Sequence, residues 1–212
     1  MLEISLRRKL ISTALAMNEL GLNQGMSGNI SVRRADRVFI TPSALAYAQC
    51  RPADIVTLDF SGQAEGRRKP SSEWRLHLDI YKNRPEAGAV LHAHPSWCTT
   101  LACLELEIPA IHYMVAVAGG DSIRCAEYAL YGTRELSEHV TTAMENRRAC
   151  LMSHHGMVCF ADSPEQALAL AVEVENLARV YVQTLQTGSP QPLGPADMVA
   201  VRQKFADYRG DS

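Results

Sequence analysis

The 212-residue sequence lacks a long hydrophobic run, an excess of either charge, and any C-x-x-C pair. No stretch reaches the roughly 18 apolar residues that a spanning helix needs, so no membrane partner is expected. Lys and Arg number 21 against 23 Asp and Glu, a formal net charge of −2. Nothing in that balance advertises a nucleic-acid surface. A small anion remains compatible, because backbone amides and hydroxyls hold a phosphate without a basic protein. The first twenty residues lack the apolar core and cleavage pattern of a secretory leader, and a cytoplasmic location is expected. The six cysteines, at 50, 98, 103, 125, 150 and 159, stand mostly in apolar runs such as "ACLMS" and "MVCF". They read as small buried hydrophobes in a reducing compartment, not as a disulfide framework.

What is present suits one folded domain over residues 1–212, with about 189–212 as a segment free to move. Hydrophobic residues make up 47% of the chain, enough for a core without staples. Leu6, Leu10, Ala14, Met17 and Leu20 follow helical spacing, and Gly21 offers a cap. "GLNQGMSGN" is a glycine-rich loop, followed by strand patterns in "ISVRR", "RVFIT" and "DIVTLD". "SGQAEGRRKP" reads as polar loop. "SSEWRLHLDIYKN" reads as a helix capped by a serine, with Trp74, Leu78 and Tyr81 on one face. "GAVLHAH" is a strand, and Pro95 begins a helix. Thr133 to about Asn146 is another helix. "ACLMSHHGMVCF" gives two buried strands hinged at His154-His155-Gly156. Ser163, Pro164 and Gln166 form a capping-box start for a helix. Its expected stripe is Ala167, Ala171, Val174, Leu177, Ala178, Tyr181 and Leu185, and Gly188 and Pro190 end it. A last helix runs from about Pro195 to Tyr208. Interspersed strands and helices with hairpin-like pairs predict a mixed, largely antiparallel sheet between helix layers, an α/β/α sandwich.

His92 and His94 carry the strongest chemical signal. Residues two apart on a strand share a face, so both imidazoles point the same way. Zinc favours imidazole nitrogen and carboxylate oxygen and needs three or four protein ligands. A third could come from the "SHHG" turn, and a carboxylate from Glu73 at a helix start. H-x-H alone is more often structural than metal-binding, and His77, His112 and His139 show histidine used elsewhere. His77 reads as a packing or hydrogen-bonding residue. "GMSGN", "TPSA" and "PSSE" are turns with free amides or hydroxyls. Each alone is an ordinary turn, and together they would make a phosphate cradle only by converging.

The segments "GLNQGMSGNISVR", "ITPS", "KPSSEWRLH", "AVLHAH", "IPAIHYMVAVAGGDSIRCAEYALYGTRELSEHV" and "HHG" resemble the class II aldolase/adducin family, in its order and over nearly the whole chain. The long segment from Ile108 to Val140 is similar to the L-fuculose-1-phosphate aldolase branch. The resemblance implies one Zn²⁺ per subunit, held by His92, His94, His155 and Glu73. It implies cleavage of a ketose 1-phosphate, L-fuculose 1-phosphate foremost, to dihydroxyacetone phosphate and L-lactaldehyde. Dihydroxyacetone phosphate would displace Glu73 from the metal, and the freed carboxylate would act as base at C1. Tyr113 would exchange a proton with the aldehyde oxygen. The phosphate would lie against Gly28, Asn29, Ser43, Ala44, Ser71 and Ser72. A homotetramer is implied, with sites between subunits that draw Tyr113 and Tyr208 from a neighbour, and with Tyr131 on the aldehyde side.

The sequence departs from that branch at named places. Ser43-Ala44 replaces Thr-Gly, Pro95-Ser96-Trp97 replaces Ala-Val-His, and Tyr131 replaces Phe. All lie where phosphate fit or aldehyde choice would be set. Other aldehydes, from 5-deoxyribulose or methylthioribulose 1-phosphate, are therefore alternatives. A pentulose-5-phosphate 4-epimerase is disfavoured, since that branch has Asp at position 73 and an acid after Tyr113, and Met114–Gly120 has none. A non-catalytic adducin-like module would lack the metal set that His92, His94, His155 and Glu73 supply.

Overall fold

The computed structural model describes residues 2–209. Eight strands form one sheet in the order β4-β3-β2-β1-β5-β8-β7-β6. The central three are β1 (Asn29–Arg34), β5 (Ala89–Ala93) and β8 (Gly156–Ala161), joined antiparallel on both sides of β5. β2 (Arg37–Ile40), β3 (Val56–Asp59) and β4 (Ala64–Glu65) extend one edge. β7 (Ala149–Met152) and β6 (Cys125–Ala126) extend the other, and the β6–β7 pair is parallel. The expected mixed sheet is thus largely antiparallel. β4 falls inside the stretch read as polar loop, and β6 in a stretch with no strand pattern. Two residues are too few to display an alternation.

Each face of the sheet has its own core. On one side Ile30, Leu91 and Cys159 meet Leu10 and Met17 of α1 (Leu2–Glu19), Leu101 of α3 (Ser96–Cys103), and Val174 and Leu177 of α5 (Pro164–Thr187). On the other, Val90, Val158 and Phe160 meet Leu78 and Tyr81 of α2 (Trp74–Asn83) and Val140 of α4 (Arg134–Ala143). These are the three layers expected. Because strand side chains alternate, Ala89, Leu91 and Ala93 enter the first core while Val90 enters the second. His92 follows Val90 to the α2 side. α6 (Pro195–Arg209) packs Met198, Val201 and Phe205 on the first core.

Several helix details differ from expectation. α1 ends at Glu19, with Gly21 in the left-handed conformation (φ 73°), and Leu20 is exposed beyond the apolar stripe. α2 is capped by Glu73, not by a serine, with no side-chain cap bond. On α5 the buried stripe passes to Val182, leaving Tyr181 half-buried and Leu185 exposed. Ser163 Oγ accepts from Gln166 N (3.3 Å), one arm of the expected box. Cys98, Cys150 and Cys159 are buried, but Cys50 and Cys125 are half-buried and Cys103 is exposed. Among the described residues, no helix is long and apolar enough to cross a membrane.

Candidate metal centre

β5 delivers His92 to the α2 face at the end of its run, and His94 follows just past the strand. The Nε2 atoms of the two rings lie 2.8 Å apart. His155 comes from the β7–β8 turn, where His154 takes a left-handed backbone (φ 52°). That turn sends His155 inward, its ring centroid 4.8 Å from His92 and 5.0 Å from His94. His154 instead stands over Glu105 at 3.5 Å, so it is no part of the cluster. Gly156 makes the approach possible by sterics. A Cβ there would meet the Ala93 carbonyl at 2.4 Å and His94 Cδ2 at 2.8 Å.

Glu73 closes the group from the N-terminus of α2. Its Oε2 lies 3.0 Å from His92 Nε2, and its Oε1 lies 3.4 Å from His155 Nε2. Glu73, His92, His94 and His155 each offer one ligand atom, and those atoms all lie within 4.8 Å of one another. The donor set of three imidazole nitrogens and one carboxylate fits a divalent metal of zinc's type. Two further observations agree. His92 Nδ1–H donates to the Met157 carbonyl (2.8 Å), which turns Nε2 to the cluster as metal-binding histidines require. Glu73 Oε1 is buried and accepts no hydrogen bond.

The electrostatics follow from this packing. Burial alone would raise the Glu73 carboxyl. The His92 charge and hydrogen bond, with His155 and Asn29, outweigh burial and hold it well below the usual carboxylate range. Burial and then the His92 charge push His94 down to about 3 and His155 down to about 4. Both therefore present neutral rings at ordinary pH. His92 itself is raised, because Glu73 and the Met157 carbonyl outweigh its burial.

The three weak turns of the sequence do converge. Ser43 N donates to the Lys69 carbonyl (3.0 Å) and Ser71 N to the Thr41 carbonyl (3.1 Å), lashing "TPSA" to "PSSE". Tyr47 Oη donates to the Gly28 carbonyl (2.6 Å) and ties in the glycine-rich loop. The result is a cavity of about 280 Å³ lined by Gly28, Asn29, Ser43, Ala44, Ser71 and Ser72. Glu73, His94, His155 and Tyr131 line the same cavity. Ala44 sits there in the left-handed region (φ 52°) despite its Cβ.

Two of the expected residues behave differently. Tyr113 opens a short 3-10 helix, Tyr113–Ala118, and is 49% exposed. Its ring lies 6.3 Å from that of Phe205, and it does not line the cavity of its own chain. The side chain of Tyr208 lies outside the described residues. Tyr131 is 62% exposed at the cavity rim.

Sequence reasoning missed Asn23, Tyr47 and Glu175. Asn23 is buried, and its Oδ1 accepts from His94 N (3.3 Å) while the side chain fills the space beside Gly28. Glu175 of α5 accepts from Trp97 N and Cys98 N, both at 2.9 Å, and so caps α3 directly behind His94. The available signal was a carboxylate next to the apolar stripe of α5, at Val174 and Leu177.

Residues 8–182 match the profile of the Class II Aldolase and Adducin N-terminal domain. A 5-methylthioribulose-1-phosphate/5-deoxyribulose-1-phosphate aldolase of Rhodospirillum rubrum is 51% identical over 99% of this chain and 94% of its own. An L-fuculose phosphate aldolase of Escherichia coli is 48% identical over 96% of this chain and 95% of its own. A solved L-fuculose 1-phosphate aldolase superposes with a TM-score of 0.92 at 39% identity, covering 95% of this chain and 96% of that one. The chain therefore belongs to the class II aldolase and adducin family, and it is an enzyme of the aldolase, that is lyase, arm.

Proposed function

We propose that the chain reversibly cleaves a ketose 1-phosphate into dihydroxyacetone phosphate and an aldehyde. One observation carries this reading: three of the four cluster residues, Glu73, His94 and His155, line a single cavity with the three phosphate-type turns, and His92 is buried against them. A cavity of about 280 Å³ suits a compact phosphorylated donor, with the aldehyde half leaving past the rim. Glu73, His92, His94 and His155 would hold one Zn²⁺ per subunit, chosen because the N₃O donor set suits it. The ion, when bound, supplies Lewis-acid stabilisation of the negative charge that develops on the donor oxygens.

The chain's own residues do the rest. Gly28, Ser43, Ala44, Ser71 and Ser72 bind the phosphate, with Asn29 lining the same cavity, and this fixes the carbon skeleton against Glu73. In cleavage the C3–C4 bond breaks, and its electron pair stays with the phosphorylated half. Glu73 delivers a proton to that carbon; in synthesis it removes the same proton. Its Oε1, free of hydrogen bonds, is the oxygen for that transfer. Tyr113 takes the proton of the C4 hydroxyl in cleavage and returns it in synthesis. Its exposure and its absence from the lining of its own cavity support a role in a neighbour's site, in a homotetramer to which Tyr208 would also contribute. A cytoplasmic enzyme agrees with six free thiols.

L-Fuculose 1-phosphate is the first reading for the substrate. A second, a 5-deoxyribulose or methylthioribulose 1-phosphate, is favoured by the Rhodospirillum relative, and the changes at Pro95-Ser96-Trp97 and Tyr131 leave the aldehyde choice open to it. The test is a cleavage assay comparing kcat/KM for the fuculose, rhamnulose, 5-deoxyribulose and methylthioribulose 1-phosphates. Activity on none of them overturns the proposal; the largest value names the substrate.

A further inference from the structure

Behind Glu73 runs a buried polar chain. Asn29 Nδ2 donates to Glu73 Oε2 (3.1 Å), and Asn29 Oδ1 meets His77 Nε2. His77 Nδ1 lies 2.7 Å from Ser31 Oγ, and Ser31 Oγ lies 2.9 Å from Tyr81 Oη. Asn29, Ser31, His77 and Tyr81 are all essentially buried, the first two on β1 and the last two on α2.

The direction of every bond is fixed from one end. An ionised carboxylate only accepts, so the Asn29 amide must turn its NH₂ to Glu73 and its oxygen to His77. His77 must then carry its proton on Nε2, leaving Nδ1 bare. Ser31 must donate to that bare nitrogen, and Tyr81 must donate to Ser31. Burial, followed by the nearby His92 charge, pushes His77 down to about 3, so the ring is neutral, as this pattern demands. A flipped Asn29 would face Glu73 with an oxygen and His77 with an NH₂, breaking two buried bonds at once.

We infer that His77 is a positioning residue: through the Tyr81–Ser31–His77–Asn29 chain it locks the Asn29 amide, and Asn29 in turn aims the Glu73 carboxylate. Among the described residues the hydrogen-bond partners of His77 are Ser31 and Asn29, not a cluster residue, and His77 does not line the cavity. Its catalytic consequence rests on the proposed aldolase reaction, but the locked amide does not.

The experiment therefore has two arms. In the first, nitrogen-15 NMR of the wild-type holoenzyme reads the His77 tautomer and the exchange of the Asn29 side-chain amide with solvent. A proton on His77 Nε2 and a slowly exchanging Asn29 NH₂ are expected. A proton on Nδ1, or an Asn29 amide exchanging as fast as a surface one, overturns the inference whatever the enzyme's substrate. In the second arm, His77→Phe keeps the volume of the ring but removes both hydrogen bonds, and His77→Gln retains a donor and an acceptor. His77→Phe is expected to lower kcat about 10–100-fold with KM for the phosphorylated substrate unchanged, and His77→Gln to recover much of it. Equal losses in both variants, or a rise in KM without a fall in kcat, overturns the positioning role. Wild-type protein inactive on every ketose 1-phosphate would sink the functional reading while leaving the first arm intact.

Discussion

Glu73 Oε2 lies 3.0 Å from Nε2 of His92, a cluster histidine whose other nitrogen is tied to the Met157 carbonyl. Acid and imidazole are thus paired in the protein's interior at the point where a metal would sit. Each can be tested separately.

Glu73→Gln keeps the shape and removes the proton acceptor. Exchange of the dihydroxyacetone phosphate C1 proton with solvent should fall about 10²–10⁴-fold, the usual worth of a general base. Proton NMR in deuterated buffer follows it directly. Exchange at the wild-type rate would remove Glu73 from the mechanism.

Stripping the metal with a chelator should abolish cleavage, and adding Zn²⁺ should restore it. The ion should also stabilise the fold, by about 2.7 kcal/mol at a free concentration 100 times Kd. For a chain of this size that raises Tm by roughly 5–11 °C. Calorimetry with and without zinc measures it, and elemental analysis of the purified protein identifies the metal.

Ala44→Gly removes a Cβ from a left-handed residue in the phosphate cavity. The relief is about 1–2 kcal/mol, partly offset by the roughly 0.5–1 kcal/mol of extra freedom glycine has when unfolded. A net gain of up to about 1.5 kcal/mol is expected in urea unfolding, with a lower KM for the phosphorylated substrate. A destabilised variant would show that the Cβ is well accommodated.

Gly156→Ala drives a methyl group toward the Ala93 carbonyl and the His94 ring. Overpacking of this kind costs about 1–3 kcal/mol. Since the displaced groups lie between β5 and β8, zinc retention should weaken together with Tm. A variant with normal metal content and a normal melting curve would mean that the strands shift freely.

His77, His94 and His155 have folded values near 3 to 4, below the ordinary histidine value of 6.5. At these three sites the unfolded chain therefore binds more protons than the folded one between those limits, and their contribution to stability rises with pH there, while the raised His92 acts in the opposite direction as pH climbs above 6.5. Urea midpoints of the metal-free protein should fall as pH drops from about 6.5 toward 4. They should change little on this account above 7. His77→Gln should flatten part of that slope.

The shared direction of His92 and His94 was legible in the sequence because a strand has period two and two residues is one full period. The helices were legible where an apolar stripe ran for several turns, as from Ala167 to Ala178. Choosing His155 over His154 was not, since the choice depends on the left-handed turn at His154. Nor was the cavity, because what gathers its turns is long-range: Ser43 to Lys69, Ser71 to Thr41, Tyr47 to Gly28. The serine cap failed for a related reason. Glu73 occupies the N-cap position itself, and Ser71 Oγ is turned to the Glu73 amide at 3.3 Å. Asn29 was read as a phosphate residue, while its side chain is engaged by Glu73 and His77.

The central place of β5, between β1 and β8, also orders events during synthesis. Glu73, His92 and His94 leave the ribosome well before His155, which arrives with the turn into β8. A nascent chain then holds three of the four cluster residues and no partner for the second edge of β5. Only when β8 docks does the fourth ligand swing in, so firm metal capture belongs to the finished sheet. The bound ion would act as a latch on the last non-local pairing, slowing its reopening more than it hastens its formation.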